Sequence, residues 1–170
     1  VHSVASFFVS RVDTEIDQRL HSMGGDAVNL AGKAAVAQAR IAYRLFEERF
    51  SGDRWARLAD MGANVQRPLW ASTSTKNPAY PDLLYVDSLI GPDTVNTMPD
   101  ATVDAFLDHG TVARTVDIDV DGAQSDLDAL AKVGIDMDEV GELLEHQGVA
   151  SFSKSFEELL QGLTDKANSQ

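Results

Sequence analysis

The sequence predicts an α/β fold in which parallel β-strands alternate with helices. Three short segments, at residues 67–73, 93–98 and 4–9, have the apolar, β-compatible composition of strands that are covered on both faces. Helical sequence follows each of them, and strands that are separated by helices form parallel sheets. Because three strands cannot close a barrel, the chain has the pattern of the last three units of a larger (β/α) barrel.

The length of the chain supports this partial architecture. It has 170 residues, enough for one domain with a sizeable core, whereas a complete eight-stranded barrel needs roughly 250. We expect one partial domain over residues 1–170, with three βα units in 1–110 and C-terminal helices in 111–164 that pack over the barrel. The chain opens on V-H-S-V, without Met and directly in strand-like sequence, so we expect a piece of a longer protein.

The composition argues against several classes of partner. The net charge is −13, from 27 acidic and 14 basic side chains, and such a surface repels nucleic acids and anionic lipids. No cysteine is present, which excludes disulfides and thiolate metal sites and is compatible with a reducing cytoplasm. No apolar run reaches the roughly 18 residues of a membrane helix. We therefore expect a cytoplasmic protein without nucleic-acid or membrane partners.

The first strand is followed by three helical patterns. Apolar residues at every fourth position from Val12 to Leu20 predict a helix that ends near Gly25. Asp26 is then predicted to cap a longer helix, and Asp53 to start a short one. The expected apolar stripe of the longer helix consists of Leu30, Ala34, Ala37, Ile41 and Leu45.

The second and third units are shorter. Pro68 is tolerated in the strand at 67–73 only because it lies near the start. A helix is expected at 82–89, before the third strand at 93–98. Asp100 is predicted to cap the helix that follows. The residues expected to face inward from that helix are Val103, Phe106 and Leu107.

The C-terminal part is predicted to be entirely helical. Capping-box-like patterns at Ser125 and Asp136 start two short helices, which Gly134 and Gly148 are expected to end. Residues 165–170 are expected to form a tail. The apolar stripe of a separate terminal helix consists of Phe152, Phe156, Leu159, Leu160 and Leu163.

A hydroxyl, an aromatic ring and a cation follow the first strand. Side chains alternate along a strand, so Ser6 and Phe8 share a face, where Ser6 can bond a ligand hydroxyl and Phe8 can shape the wall. Arg11 follows in the loop and offers a planar fork to a phosphate. The alternative is an ordinary surface arginine paired with Asp13 or Glu15.

The second strand ends in a similar way. Side chains alternate along a strand, so Trp70 and Ser72 are predicted to share a face. The run S-T-S-T precedes Lys76. Hydroxyls and free backbone N–H groups that lead into a helix suit an anion. A solvated Ser/Thr turn with an exposed lysine explains the same composition equally well.

Two further patterns bear on metal binding. The histidines show no metal-binding spacing, and His109 and His146 are predicted in the last turns of helices, where imidazole interacts well with the helix dipole. An acidic segment has the spacing of a calcium loop; its residues are Asp117, Asp119, Asp121, Gly122 and Asp128. We interpret this segment as a charged turn that leads into a helix, and we expect no bound metal.

Four long motifs, in order, resemble one enzyme family. They are S-V-A-S-F-F-V-S-R-V-D-T-E-I-D, G-K-A-A-V-A-Q-A-R, Q-R-P-L-W-A-S-T-S-T-K-N-P-A-Y-P-D and D-T-V-N-T-M-P. From residue 1 to about residue 163 the chain resembles the C-terminal half of a transaldolase of the actinobacterial-type branch. The terminal helix resembles the family segment that packs across the mouth of the barrel.

The resemblance implies a (β/α)₈ TIM barrel to which this chain supplies the sixth, seventh and eighth strands. It also implies Schiff-base transfer of a dihydroxyacetone unit between sugar phosphates in the pentose phosphate pathway, without a cofactor. In that reaction sedoheptulose 7-phosphate and glyceraldehyde 3-phosphate give erythrose 4-phosphate and fructose 6-phosphate.

The same resemblance assigns roles to residues. Ser6 matches a serine that contacts the bound substrate, Arg11 the phosphate-binding arginine, and Ser72 the seventh-strand serine of the phosphate site. Lys76 takes the place of a cation that many relatives supply as arginine, and Ser74 stands where close relatives usually carry glycine.

No catalytic residue of the family falls within this chain. The resemblance places the Schiff-base lysine on the fourth strand and the acid/base carboxylates on the first and third, all before residue 1. We expect the chain alone to be inactive, with sugar phosphates and the N-terminal half of the same barrel as its partners. A non-catalytic sugar-phosphate binder and a self-associating half-barrel are the alternatives.

Overall fold

The computed structural model describes residues 1–168 and shows a helix-rich fold around a three-stranded parallel sheet. Contacts divide the chain into two compact units, Val1–Ile135 and Asp136–Gln170. The strands are β1 Ser3–Phe8, β2 Gln66–Ala71 and β3 Val95–Asn96. The helices are α1 Ser10–Met23, α2 Ala34–Arg49, α3 Gly52–Asp60, α4 Leu84–Asp87, α5 Asp100–His109, α6 Val120–Lys132 and α7 Met137–Asn168, and a 3₁₀ turn covers Gly25–Leu30.

The sheet has the order β1-β2-β3, and all its strands are parallel. The pairing of β1 with β2 runs from Ser3 opposite Gln66 to Phe8 opposite Ala71. The three predicted strands are therefore confirmed, although β3 pairs through only two residues. Pro92 and Pro99, which cannot donate to a ladder, set the outer limits of this segment, and the N–H of Thr97 still donates to the carbonyl of Trp70 at 3.0 Å.

The two faces of the sheet have different surroundings. Phe7 and Trp70 lie on the face toward α2, with their rings edge-to-face at 5.9 Å between centroids. Trp70 is 1% exposed and its indole N–H donates to the carbonyl of Leu89 at 3.0 Å. The opposite face is open, because Val4 and Phe8 are 44% and 39% exposed. Strand alternation places these two sets on opposite sides.

The periodicity predicted for α1 is confirmed, whereas the predicted start of the long helix α2 is wrong. Val12, Ile16 and Leu20 are buried, as their spacing indicates. Asp26 does not cap the long helix, because residues 25–30 form the 3₁₀ turn and α2 begins only at Ala34. Of the predicted stripe, Ala34 and Ala37 are buried, whereas Leu45 is 48% exposed. The buried face of α2 consists of Ala34, Ala35, Ala37, Ala39 and Tyr43.

A carboxylate from another helix caps α2. Asp13 of α1 is buried, and its Oδ1 accepts the backbone N–H of Ala35 at 2.8 Å. The first N–H groups of a helix have no partner within the helix, and a carboxylate there also interacts favourably with the helix dipole. The second oxygen of Asp13 accepts the hydroxyl of Tyr85 at 2.8 Å. One side chain thus joins α1, α2 and α4.

A second carboxylate repeats this arrangement one helical turn later. Asp17 accepts the backbone N–H of Gly32 at 2.9 Å and the hydroxyl of Tyr80 at 2.6 Å. Positions four residues apart lie on the same helix face, so both carboxylates point toward the start of α2. The segment after β2 is therefore attached to α1 at two points.

The remaining helices differ from the sequence predictions at their ends. Asp100 does not cap α5, because it is the first residue of that helix and Pro99 precedes it without a side-chain cap, and Leu107 is 79% exposed and does not face inward. Helix α4 covers only Leu84–Asp87 of the predicted 82–89. Helix α6 starts at Val120, five residues before Ser125, because Asp119 accepts the N–H of Gly122 at 3.0 Å and provides the cap.

The predicted second and third C-terminal helices are one continuous helix, α7. Asp136 caps its start, as predicted, by accepting the N–H of Asp138 at 2.9 Å. Gly148 does not end it, since a single glycine costs a helix only about 1 kcal/mol. Of the predicted tail, 165–168 is helical and 169–170 lie outside the described residues. No helix in the described part of the chain is long and apolar enough to cross a lipid bilayer.

The buried carboxyl of Asp13 predicts a pH-dependent stability. Burial raises its pKa to about 6, although the bonds from Ala35 and Tyr85 act in the opposite direction. Since the folded chain holds this proton at pH values where the unfolded chain has lost it, Asp13 makes the free energy of unfolding fall as pH rises toward and through 6. Asp13→Asn removes the titration, so its stability relative to the unaltered chain should rise by roughly 1 kcal/mol between pH 5 and pH 7.

Urea unfolding at the two pH values measures this difference. Asp26→Asn is the matched control, because Asp26 is exposed in the 3₁₀ turn and the substitution removes the same charge. A difference between Asp13→Asn and the unaltered chain that does not change with pH would contradict the prediction.

Candidate functional site

The carboxyl ends of β1 and β2 are joined beyond the last paired residues of the strands. The N–H of Val9 donates to the carbonyl of Ala71 at 2.9 Å, and the N–H of Ser10 to that of Ser72 at 3.0 Å. The two serine hydroxyls are 2.8 Å apart and share a hydrogen bond. We call this end of the sheet, residues 8–11 and 72–76, the rim.

The backbone of Ser72 determines where its hydroxyl lies. Strand β2 ends at Ala71, and Ser72 has a φ of 57°, in the left-handed region that non-glycine residues rarely adopt. The strand alternation therefore stops before Ser72, and its hydroxyl lies against Ser10. An uncommon backbone conformation at the end of a strand is a feature of binding sites.

Arg11 lies in the first turn of α1 and extends back over β1. Its guanidinium carbon is 4.6 Å from the centroid of the Phe8 ring, a cation–π contact that limits the motion of the planar group. The expected alternative pairs are absent in residues 1–168, because Asp13 is bonded to Ala35 and Tyr85 and Glu15 bonds Arg19 at 2.8 Å. Arg11 is exposed, so its N–H donors can reach a ligand.

Ser6 lies on the open face of the sheet. It stands opposite Leu69 in the register and is exposed, two residues before Phe8 on the same face. A ligand held by Arg11 at the rim could therefore extend across this face past Phe8 to Ser6.

Lys76 lies in the loop that leaves the rim after β2. Its ammonium donates to the hydroxyl of Ser74 at 2.8 Å, and its side chain is exposed. The loop is anchored at its start by the buried Thr73, whose hydroxyl donates to the side-chain oxygen of Asn96 at 2.8 Å. Arg11 and Lys76 thus follow the same end of the sheet on neighbouring strands.

Sequence reasoning missed three residues of this region. Ser10 pairs with Ser72, Thr73 attaches the loop to the end of β3, and Tyr80 attaches it to α1. Ser10 had a visible signal, since it stands directly before Arg11 at the end of the first strand. The roles of Thr73 and Tyr80 depend on partners more than twenty residues away, which no local pattern identifies.

The electrostatics of the rim differ from those of the whole chain. Although the chain carries a net charge of −13, the exposed cations Arg11 and Lys76 and the paired serine hydroxyls all lie in the segments that leave this end of the sheet. The nearby acids of α1 are directed to the backbone and to tyrosines. The arrangement can hold an anion by charge-assisted hydrogen bonds.

The rim does not supply a nucleophile for imine chemistry. An imine-forming lysine needs a desolvated pocket or a neighbouring cation that favours the neutral amine. All five lysines are exposed, and none lies in a strand; they are Lys33, Lys76, Lys132, Lys154 and Lys166.

The acidic segment that resembles a calcium loop has other partners. Asp119 caps α6, and Asp117 accepts a hydrogen bond from Arg114 at 2.8 Å, which lowers the pKa of this carboxyl. No group of three or more acidic or histidine side chains within residues 1–168 could hold a metal ion.

The two histidines predicted at helix ends differ. His109 ends α5 as predicted, and its hydrogen bonds to Asp82 and Asp108, each 3.1 Å, raise its pKa. His146 lies within α7 rather than at its end, because Gly148 does not stop that helix.

Comparison with known proteins identifies the family. Residues 1–163 match the family model described as transaldolase/fructose-6-phosphate aldolase. The chain is 57% identical over 162 residues to a transaldolase of Thermobifida fusca, covering 94% of this chain and 44% of that protein. It is 56% identical over 171 residues to a transaldolase of Renibacterium salmoninarum, covering 99% and 46%.

A transaldolase of Mycolicibacterium smegmatis gives 54% identity over 172 residues, with 98% of this chain and 46% of that protein covered. The chain therefore spans about half the length of the curated relatives that it matches. These matches confirm the resemblance read from the four motifs, and the chain belongs to the transaldolase/fructose-6-phosphate aldolase family.

Proposed function

We propose that this chain is the C-terminal part of a transaldolase and supplies strands six to eight of a (β/α)₈ barrel. The whole enzyme would transfer a dihydroxyacetone unit from a ketose phosphate to an aldose phosphate through a Schiff base. Such an enzyme would act in the pentose phosphate pathway, in the cytoplasm. The observation that carries the proposal is the rim, where a guanidinium held over the Phe8 ring and a pair of bonded serine hydroxyls lie at the carboxyl ends of parallel strands.

Four residues of the rim, together with Ser6, have roles in binding the sugar phosphate. Arg11 binds phosphate oxygens through its planar fork, while the ring of Phe8 beneath it limits its motion. Ser72 donates a hydroxyl, and Lys76 adds a second positive charge. Ser6, farther along the open face, bonds a hydroxyl of the sugar. Together these groups bind one end of a substrate whose reacting carbon lies elsewhere over the barrel.

The catalytic lysine would come from the N-terminal half of the barrel. The exposed lysines of this chain do not meet the requirement for imine formation. Strand β1 lies at the edge of the described sheet, where a further strand could pair, and the open face could be covered by other parts of a barrel. The relatives are about twice as long as this chain. The chain alone would bind the phosphate and leave the covalent step to residues that relatives carry before this region.

Replacement of Arg11 tests the phosphate site. In a calorimetric titration with fructose 6-phosphate, we expect Arg11→Ala to lower affinity by about tenfold or more, since a charge-assisted hydrogen bond contributes roughly 1.5–3 kcal/mol. Arg54→Ala is the control, because Arg54 is exposed in α3, which precedes the opposite end of β2, and its loss changes net charge equally. Equal affinities of the two variants would argue against Arg11 as the phosphate ligand.

The origin of the nucleophile is tested by trapping. Borohydride added with fructose 6-phosphate reduces a Schiff base to a stable amine, which a mass spectrum detects. We expect no added mass on this chain, whereas a full-length transaldolase treated in parallel should be labelled. A labelled lysine in this chain would contradict the assignment of the nucleophile to the N-terminal half.

A further inference from the structure

Two segments extend from the rim, and they are connected to each other at both ends; we call them the arms. Residues 10–17 form the first two turns of α1 and carry Arg11, while residues 72–80 form the loop that carries Lys76. At one end the serine hydroxyls of positions 10 and 72 bond at 2.8 Å. At the other end the hydroxyl of Tyr80 donates to Asp17 at 2.6 Å. The arms therefore form a closed ring with one cation on each side.

The loop arm has much more length than the ring requires. Seven helical steps from residue 10 to residue 17 span roughly 10 Å. Eight steps from residue 72 to residue 80 could reach as far as about 27 Å if extended. With only its first end attached, the loop could therefore carry Lys76 well away from Arg11.

The attachment of Tyr80 is well defined. Its ring lies so close to Gly32 that a Cβ at that position would come within 2.8 Å of the ring, and Gly32 has a φ of 74°, which favours glycine. The N–H of Gly32 donates to the other oxygen of Asp17 at 2.9 Å, which orients the carboxylate. Burial and the neighbouring Asp17 carboxylate raise the pKa of Tyr80, so its hydroxyl stays protonated as a donor.

Lys76 lacks a comparable attachment of its own. Its only hydrogen-bond partner within residues 1–168 is Ser74, two positions earlier in the same loop. Between Thr73 and Tyr80, which anchor the loop to β3 and α1, the Asn77 side chain makes bonds within the loop itself. It accepts the N–H of Ala79 at 3.0 Å and also bonds the Tyr80 side chain. The position of the ammonium therefore depends on the two anchored ends.

We propose that Tyr80, through its hydrogen bond to Asp17, is a positioning residue that holds Lys76 on the same phosphate group as Arg11. The inference rests on the proposed function, because it names how the second cation of that phosphate site is held. Tyr80 itself does not touch the ligand. Without the bond the loop samples more conformations, so more conformational freedom is lost on binding and the contribution of Lys76 to affinity falls.

A double-mutant cycle separates this role from a purely structural one. Fructose 6-phosphate is titrated calorimetrically into the unaltered chain, Tyr80→Phe, Lys76→Met and the double variant, and thermal unfolding is recorded for each. We expect Tyr80→Phe to weaken binding about three- to tenfold in the unaltered background and by less than twofold in the Lys76→Met background. Its effect on the unfolding temperature should be the same in both backgrounds.

Tyr43→Phe is the matched control. The Tyr43 hydroxyl also donates a part-buried hydrogen bond, at 3.0 Å to the carbonyl of Pro92, on the other side of the sheet from the open face. It should lower thermal stability without changing the affinity for the sugar phosphate.

The outcomes distinguish this inference from the function on which it rests. If Arg11→Ala and Lys76→Met weaken binding but Tyr80→Phe has the same effect with and without Lys76, the positioning role is wrong and the phosphate site stands. If the unaltered chain does not bind fructose 6-phosphate, the phosphate site itself is wrong and the inference fails with it.

Discussion

Two buried carboxylates on one face of α1 connect the segments that carry the rim. Asp13 caps α2 and holds Tyr85, and Asp17 holds the turn at Gly32 and Tyr80. Desolvating a carboxylate is unfavourable unless hydrogen bonds compensate, so each of these bonds constrains its partner strongly. Because α1 starts directly after β1, this constraint relates the end of the first strand to the loop that leaves the second.

A strongly acidic chain can still bind an anion if its cations are local and its acids are occupied elsewhere. The net charge of −13 acts at long range and is screened by salt, whereas Arg11 acts by direct contact at the rim. The nearest acids along α1 are bonded to tyrosines, to backbone amides or, for Glu15, to Arg19. The net charge of the whole chain is therefore negative while the local charge at the rim is positive, and the two are compatible.

The apolar residues that stay exposed are consistent with a part of a larger fold. Val4 and Phe8 leave one face of the sheet open, and the terminal stripe of α7, including Phe152 and Phe156, is also exposed. Each of these exposed apolar sets, taken by itself, is typical of an interface. In the proposed whole enzyme, the N-terminal half of the barrel would cover the sheet face.

The sequence by itself determined which segments are strands, which helices follow them and which family the chain belongs to. Periodicity and motif spacing are local properties, and the buried Val12, Ile16 and Leu20 agree with them. It also predicted that the segments carrying Arg11 and Ser72 follow the same end of the sheet, because parallel strands end at the same edge, and the bond between Ser10 and Ser72 agrees with this.

Only the tertiary structure decided where several helices begin and end and how the rim is held. Asp26 had the local pattern of a cap, but Asp13 from another helix caps α2 at Ala35. Gly148 had the local pattern of a helix end, yet α7 continues through it. The bonds from Tyr80 to Asp17 and between the serines join residues more than sixty positions apart. Such long-range partners are chosen by the folded packing, and no local pattern in the sequence encodes them.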